Sequence, residues 1–389
     1  MCYEIVIVGG GLTGLSLAWA LHRRQIRTAL VETAPFAPPA ARDAQTTHYD
    51  DRVIALSYGS WKFYLDNQVD ISRIATPIQH IHISDRGHFG AAHLCAADIQ
   101  KNALGFVIEA KLLGFTLQRL LQTQTTVDLI APETVVDLKL NANNETELQL
   151  KNGQFLKTKL VILADGGQSS LYQTLNIPFE THDYQQTAII ANVTPSNPKY
   201  NHAFERFTNT GPLALLPMRE NRYALVWTVS PEQVETLLQL DEAAFLKSLQ
   251  TAFGWRLGQF VQIGKRSAFP LKLRYTKDII RSRLLLMGNA AHIVHPVGGQ
   301  GLNLGLRDII TFLNLLKTQP NDIGSLSFLQ TYANKRDPDV DKTLRLTDGL
   351  VKLFSNDFQP VVLARNLGLF AFDHCSLLKK QLARQMAGL

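Results

Sequence analysis

Three stretches of the chain are apolar at every position, and each runs into glycine. Residues 5–8 (IVIV) precede Gly9-Gly10-Gly11, residues 160–164 (LVILA) precede Asp165-Gly166-Gly167, and residues 284–287 (LLLM) precede Gly288. A short uninterrupted apolar run predicts a strand buried on both faces, as in a parallel sheet covered by helices. Residues 15–21 follow the first glycine turn as a good helix former, and residues 28–31 predict a second strand ending at Glu32. The texture changes between Thr187 and Thr228. There TAIIANV, AFERF, GPLALLPM and RYALVWTV are separated by Pro, Asn and Gly, which predicts an antiparallel sheet inserted between the parallel segments. Residues 101–121, 232–240 and 242–253 predict helices. Residues 126–159 predict a small β-meander with turns at 141–144 and 152–153. Residues 34–51 form a Pro/Ala-rich loop too long for a compact turn, either bordering a site or without fixed structure.

Composition narrows the class. The 389 residues supply two to three domains at roughly 150 residues each, and 46% hydrophobic against 19% charged residues excludes a disordered chain. Lys and Arg number 39 against 33 Asp and Glu, a net +6 that points to nucleic acid, an anionic membrane or an anionic cofactor. Basic runs interleaved with aromatics are lacking, which sets nucleic acid aside. Three cysteines (Cys2, Cys95, Cys375) make no CxxC pair, so a disulfide framework and a zinc ribbon are not expected, and a reducing compartment is. No His, Cys or acidic cluster has metal-ligand spacing, so the expected metal complement is none. The apolar first 21 residues carry only Glu4 as an early charge and are broken by glycines. They are expected to be a strand and a helix rather than a signal peptide. No other stretch reaches the ~20 apolar residues that span a bilayer.

The chemistry is concentrated around the glycines. Gly9, Gly11 and Gly14 spell G-x-G-x-x-G between a strand and a helix, with Glu32 closing the next strand. Glycines permit the tight turn and let backbone approach a pyrophosphate, the helix start supplies N–H groups, and the carboxylate accepts from a ribose hydroxyl. The motif does not separate NAD from FAD. A second stretch, residues 288–308 (GNAAHIVHPVGGQGLNLGLRD), reads as strand, turn, proline, glycine-rich loop and helix. Gly298, Gly299 and Gly301 expose successive N–H groups at a helix start. A second such loop fits a cofactor whose other end also needs cradling, and a flavin becomes negative at that end on reduction. Glycine-rich helix packing would explain the small residues but not the His-Pro beside them.

Taken together, the Gly9–Gly14 motif with Glu32, Asp165-Gly166 after a strand, and the 288–308 block resemble the class A flavoprotein aromatic hydroxylases. Within them, the ubiquinone-biosynthesis hydroxylases are most similar. Residues 51–57 (DRVIALS) resemble their D-x-R-x-x-A-L-S, residues 211–217 (GPLALLP) their G-P-x-A-L-L-P, and the likeness extends to residues 347–350 and 353–354. The resemblance implies an α/β fold: a Rossmann-like FAD-binding domain (residues 1–75, 98–182 and 275–340), an inserted antiparallel β-sheet substrate domain (76–97 and 183–274), as in para-hydroxybenzoate hydroxylase, and a C-terminal helical tail (341–389). It implies FAD, NADH or NADPH as co-substrate, O2, and hydroxylation of a polyprenylated phenol through a C4a-hydroperoxide. Gly9, Gly11, Gly14 and Glu32 would hold the ADP half of FAD, and Asp165 and Gly166 its middle. Pro296, Gly298, Gly299, Gly301, Leu302 and Asn303 would wrap the isoalloxazine, while Leu215 and Pro217 would meet the substrate. Arg52 would pair with phosphate or flavin, or instead with Asp50 or Asp51 in a surface ion pair.

Two departures stand out. Asn289 replaces the family's Asp, an uncharged substitute that can still donate and accept. Gly-Asn-Ala-Ala there resembles the branch acting on 2-polyprenyl-6-methoxyphenol. Tyr172 stands at the Arg position of D-G-x-x-S-x-x-R, leaving the choice of pyridine nucleotide open. His292 and His295 are expected to be hydrogen-bonded structural residues. The tail mixes apolar runs with Lys342, Arg345, Lys352, Arg365, Lys379, Lys380 and Arg384. It is either a membrane-surface or partner-binding element, including a ubiquinone-biosynthesis multienzyme complex, or a cover for the flavin domain. The expected location is cytoplasmic, with peripheral contact at the inner face of the membrane. A hydroxylase of another ring position or of a soluble aromatic acid, and a prenyl-partner escort protein on the same fold, are the alternatives.

Overall fold

The computed structural model describes residues 2–36, 52–123, 126–141, 145–354 and 358–389. Its centre is a sheet in which Cys2–Val8 lies between Thr28–Val31 and Phe155–Leu163, all parallel. Val127–Ile130 extends one edge and Leu284–Leu286 the other, also in parallel. These strands are the apolar runs of the sequence, and Ile5, Val6, Ile7, Leu160, Ile162 and Leu285 are fully buried. Burial on both faces leaves no polar stripe, hence the absence of alternation. Leu12–His22 and Gln300–Leu316 cover this sheet, with Leu15, Leu17, Leu306 and Phe312 in its core.

A second sheet of nine strands carries the inserted segments. Glu180–Pro195, Tyr223–Val229, Gly211–Pro217 and His202–Thr208 follow one another as antiparallel neighbours. The next neighbour, His80–Asp85, pairs in parallel with His202–Thr208, so the sheet is mixed rather than wholly antiparallel. It comes from a distant segment, and no tight hairpin dictates its direction. On the far face, Phe204, Leu213, Leu215 and Tyr223 pack against Phe245, Leu249 and Phe253 of Glu242–Phe253.

Three sequence expectations are corrected. Residues 101–121 are not one helix: Gly105–Glu109 is the central strand of a three-stranded sheet, and the helix is Ala110–Gln122. The run GFVIE is apolar and β-branched, which suits a strand between two partners. Within residues 126–159, Val127–Ile130 joins the parallel sheet, and only Val135–Lys139, Thr146–Leu150 and Phe155–Leu163 form a meander. The third concerns the tail. The 340–341 division falls inside the helix Leu326–Phe354, and Gln359–His374 and Ser376–Met386 then fold back onto the molecule. Arg365 is buried there, its Nε 2.8 Å from Asp85 Oδ2, so it is no part of a basic surface. Lys352 pairs with Asp348 and Lys379 with Asp373. Most of residues 34–51, including Asp51 and Asp50, and part of the 141–144 turn lie outside the described residues.

Candidate active site

The two glycine turns meet in one cleft of about 1040 Å³. At its first end Cys2–Val8 stops and Gly9 takes φ +109°, a left-handed value that glycine adopts without strain. Gly11 caps Leu12–His22 with no side-chain bond, leaving the first N–H groups of that helix facing the cleft, and a Cβ on Gly11 would meet open space. Glu32 lies beside it. Its Oε2 accepts from the Gly10 N–H at 2.5 Å and its Oε1 from Ala34 at 2.8 Å. Gly14 does not line the cleft. A Cβ there would collide with the Gly9 carbonyl, so its role is to let the helix close on the strand.

Asp165 and Gly166 line the middle. Asp165 accepts from the N–H groups of Gly167 (3.0 Å) and Ser169 (3.2 Å) and from the hydroxyl of Tyr172. Tyr172 therefore braces Asp165, and the combination of burial and that carboxylate pushes its phenol far above the ordinary range. A guidinium does reach this turn from elsewhere. Arg274 donates to the Gly167 carbonyl at 2.9 Å and stacks on Phe179. Nothing in the local spacing announces Arg274, because it arrives from a distant strand. Arg52 is exposed at the cleft wall, 5.3 Å from the Phe269 ring centre.

The second glycine turn lines the same cleft. Gly298 (φ +67°) and Gly299 (φ +64°) are consecutive left-handed residues, and Gly299 starts Gln300–Leu316 with no side-chain cap. Pro296, Gly301, Leu302 and the exposed Asn289 also line the cleft, and Gly301 has open space where a Cβ would stand. Asn303 lines it too, but its amide is fully engaged. Nδ2 donates to the carbonyls of Ala55 (2.8 Å) and Gly299 (2.6 Å), and Oδ1 accepts from Ser57 (2.8 Å). It ties the loop to Val53–Ser57, and is placed as a brace.

Behind the loop is a buried ionic knot that the sequence contained without revealing. Asp308 accepts from the Gly288 N–H (2.9 Å), lies 3.0 Å from His292 Nε2 and 2.8 Å from Arg336 Nε. The neighbouring cations outweigh burial and hold its carboxyl down at about 2. His295 is fully buried, accepts the Val297 N–H on Nδ1, and burial lowers it to about 4. Both histidines are buried and hydrogen-bonded.

Leu215 and Pro217 are not in the cleft. The strand Gly211–Pro217 alternates, and it is Pro212, Ala214 and Leu216 that line it, together with Ala203, Glu205 and Val226. Leu215 lies in the core on the opposite face, where a period of two must put it. Met386 contributes from the C-terminal helix, whose end is tied down where Gly59 N–H donates to the Ala387 carbonyl at 2.8 Å.

Two helix starts without side-chain caps lining one cleft, with a ribose-competent carboxylate beside one and open glycine positions at both, fit a dinucleotide carrying a second ring system. With the adjoining apolar wall they define an oxidoreductase of the flavoprotein type. Comparison with known proteins agrees. The sequence matches the FAD binding domain family over residues 135–347 and the NAD(P)-binding Rossmann-like domain family over residues 7–63. It is 33% identical to the ubiquinone hydroxylase UbiL of Rhodospirillum rubrum (99% of this chain, 89% of the relative). It is 31% identical to the 3-demethoxyubiquinol 3-hydroxylase of Escherichia coli (99% and 98%). The fold is that of p-nitrophenol 4-monooxygenase PnpA from Pseudomonas putida, at TM-score 0.78 and 17% identity over 99% of this chain and 97% of that one. The chain belongs to the family of FAD-dependent aromatic monooxygenases that includes the ubiquinone-biosynthesis hydroxylases. It is an enzyme that uses FAD, with NAD(P)H and O2 as co-substrates.

Among the described residues no single helix is long and apolar enough to cross a membrane. Gln359–His374 and Ser376–Met386 reach that length only as a pair bent by 94°.

Proposed function

We propose that the protein hydroxylates the aromatic ring of a polyprenylated phenol in ubiquinone biosynthesis. The observation that carries this reading is the single cleft joining the two glycine turns to an apolar wall of Ala203, Ala214, Leu216 and Val226. That stretch of wall carries no cation and suits a ring bearing an apolar chain. The two relatives named above, a ubiquinone hydroxylase and a demethoxyubiquinol hydroxylase, support it. When bound, FAD supplies the transfer of one oxygen atom from O2 at the expense of NAD(P)H.

The chain's own residues bind and orient. Gly9, Gly11 and Glu32 take the ADP half, with Gly14 keeping the helix close. Asp165, Gly166 and Asn289 take the middle. Pro296, Gly298, Gly299, Gly301 and Leu302 face the ring system, and Asn303 fixes their loop. The N–H groups at Gly299 and beyond favour negative charge on that ring. Arg52 is available to an anionic group. The C-terminal helices expose Leu363, Leu367, Phe370, Leu377 and Leu378 beside Lys380 and Arg384. Apolar and basic together support peripheral contact with an anionic membrane, from which a prenylated substrate would enter.

The test is NAD(P)H oxidation by the FAD-loaded protein with candidate prenylphenols, with product masses measured. A gain of one oxygen atom is expected, and its ring position identifies the reaction. Reductant consumption without an oxygenated product from any prenylphenol would overturn the reading.

A further inference from the structure

Glu205 is the one carboxylate on the apolar part of the cleft wall among the described residues. It lies in the middle of His202–Thr208, on the face that carries Ala203 and Phe207. Its paired neighbours are Ala214 on one side and Ile83 on the other, and beyond Ala214 comes Val226. Arg206 points to the opposite face, where its Nε donates to the Ala252 carbonyl at 3.2 Å. No hydrogen bond or ion pair of the Glu205 carboxyl is found among the described residues, and the accessible part of the residue lines the cleft.

Its place relative to the cofactor loop follows from the strand. Phe207, one same-face step away (about 7 Å), packs against Val297 in the second glycine turn, together with Ile83. Glu205 thus stands in the apolar wall beside the residue that packs on the ring-binding loop, and it lines the same cleft as that loop. A carboxyl enclosed among apolar groups is costly unless it has a partner. Ordinary buried carboxyls of this protein have one, as Asp308 and Asp85 show. Asp85, opposite Phe207 on the same face, is held by Arg365, and burial pushes the Glu205 carboxyl up to about 7, the range in which a general base works best at neutral pH.

We propose that Glu205 is a catalytic residue that binds the phenol hydroxyl of the substrate and accepts its proton as the ring is hydroxylated. This rests on the phenol-hydroxylase reading. The O–H bond of the phenol breaks, its proton passes to the carboxylate, and its electron pair flows into the ring, raising electron density ortho and para. A ring carbon there gains one oxygen atom of O2. The second oxygen atom takes the two electrons and the hydrogen of NAD(P)H, with one proton from solvent, and leaves as water. The displaced ring hydrogen departs as a proton, equivalent to the one the new hydroxyl carries, and Glu205 returns its own to the phenol oxygen.

The experiment compares wild-type and Glu205→Gln, both loaded with FAD, on short-chain 2-prenylphenols with and without ring fluorines that lower the phenol pKa. Product per NAD(P)H consumed, peroxide released and the pH profile of kcat/KM are measured. Wild type should lose kcat/KM as pH falls through about 7, where the base becomes protonated. E205Q should lose that limb, form product about 10²-fold or more slowly, and divert reductant to peroxide, with flavin reduction by NAD(P)H unchanged. Its deficit should shrink with the more acidic fluorophenols, which need less help to ionise. A structural role would not produce that dependence. An E205Q enzyme with wild-type product yield and an intact acid limb overturns the assignment alone. A wild type that oxygenates no prenylphenol overturns the hydroxylase reading, and this assignment with it. If E205Q fails to retain flavin absorbance, wild type decides: with the unsubstituted prenylphenol an acid limb must be present, its midpoint must stay near 7 rather than follow the phenol pKa, and its absence overturns the assignment.

Discussion

Replacing Asp308 by Asn probes the knot that holds the second glycine turn. Asp308 is buried and joins three elements, accepting from Gly288, His292 and Arg336. Its carboxyl is held at about 2 against an ordinary 3.8. A depressed pKa contributes stability that is present above the unfolded value and lost as pH falls through the folded one. The difference corresponds to about 2 kcal/mol at neutral pH. Removing one partner of a buried ion pair costs about 3–5 kcal/mol, because the other charge is stranded. Here Arg336 keeps Asp339 at 2.6 Å, which moderates the loss. We therefore expect Asp308→Asn to lose about 3 kcal/mol at pH 7, with the gap narrowing by about 1 kcal/mol at pH 3. Urea unfolding followed by far-ultraviolet circular dichroism, at both pH values, measures it. FAD affinity should fall in parallel, because the Gly288 N–H loses a charged acceptor. A gap below about 0.5 kcal/mol, the range of ordinary surface substitutions, or a gap independent of pH, would refute the reasoning.

Gly14→Ala places a methyl group against the Gly9 carbonyl and should push the first helix off its strand. The protein should purify with little bound flavin, which the absorption spectrum reports. Arg365→Ala strands Asp85 in the interior and should cost about 3–5 kcal/mol. Because Arg365 links the C-terminal helices to the inserted sheet, limited proteolysis should cut residues 358–389 faster than in wild type. Phe245→Ala opens a cavity in the core behind the inserted sheet and should cost about 3–5 kcal/mol in urea unfolding while leaving the flavin spectrum unchanged.

What could be read from the sequence was whatever depends on local chain geometry. The strand–glycine–helix turn at Gly9–Gly14 and the pair Gly298-Gly299 carry their backbone requirement in their own residues, and both open on the cleft. Features created by distant segments could not be read. Gly105–Glu109 looks like the start of a helix because Ala110–Gln122 follows directly, and only its two strand partners settle its state. Leu215 and Leu216 differ in nothing but phase: which of the alternating faces meets the cleft depends on what packs behind the sheet. Arg365 reads as part of a basic tail until Asp85, far away in sequence, neutralises it. Arg274 and Glu205 were likewise hidden in strands whose neighbours come from elsewhere. The one available signal for Glu205 was a carboxylate within AFERF, on the same strand face as Ala203 and Phe207.

The most direct measurement uses the FAD-loaded protein, NAD(P)H, a 2-prenylphenol and ¹⁸O-labelled dioxygen, with the product mass and ring position determined. A flavin-dependent phenol hydroxylase incorporates one ¹⁸O atom into the ring per turnover. Reductant consumed with peroxide alone, or product carrying oxygen from water, would contradict it.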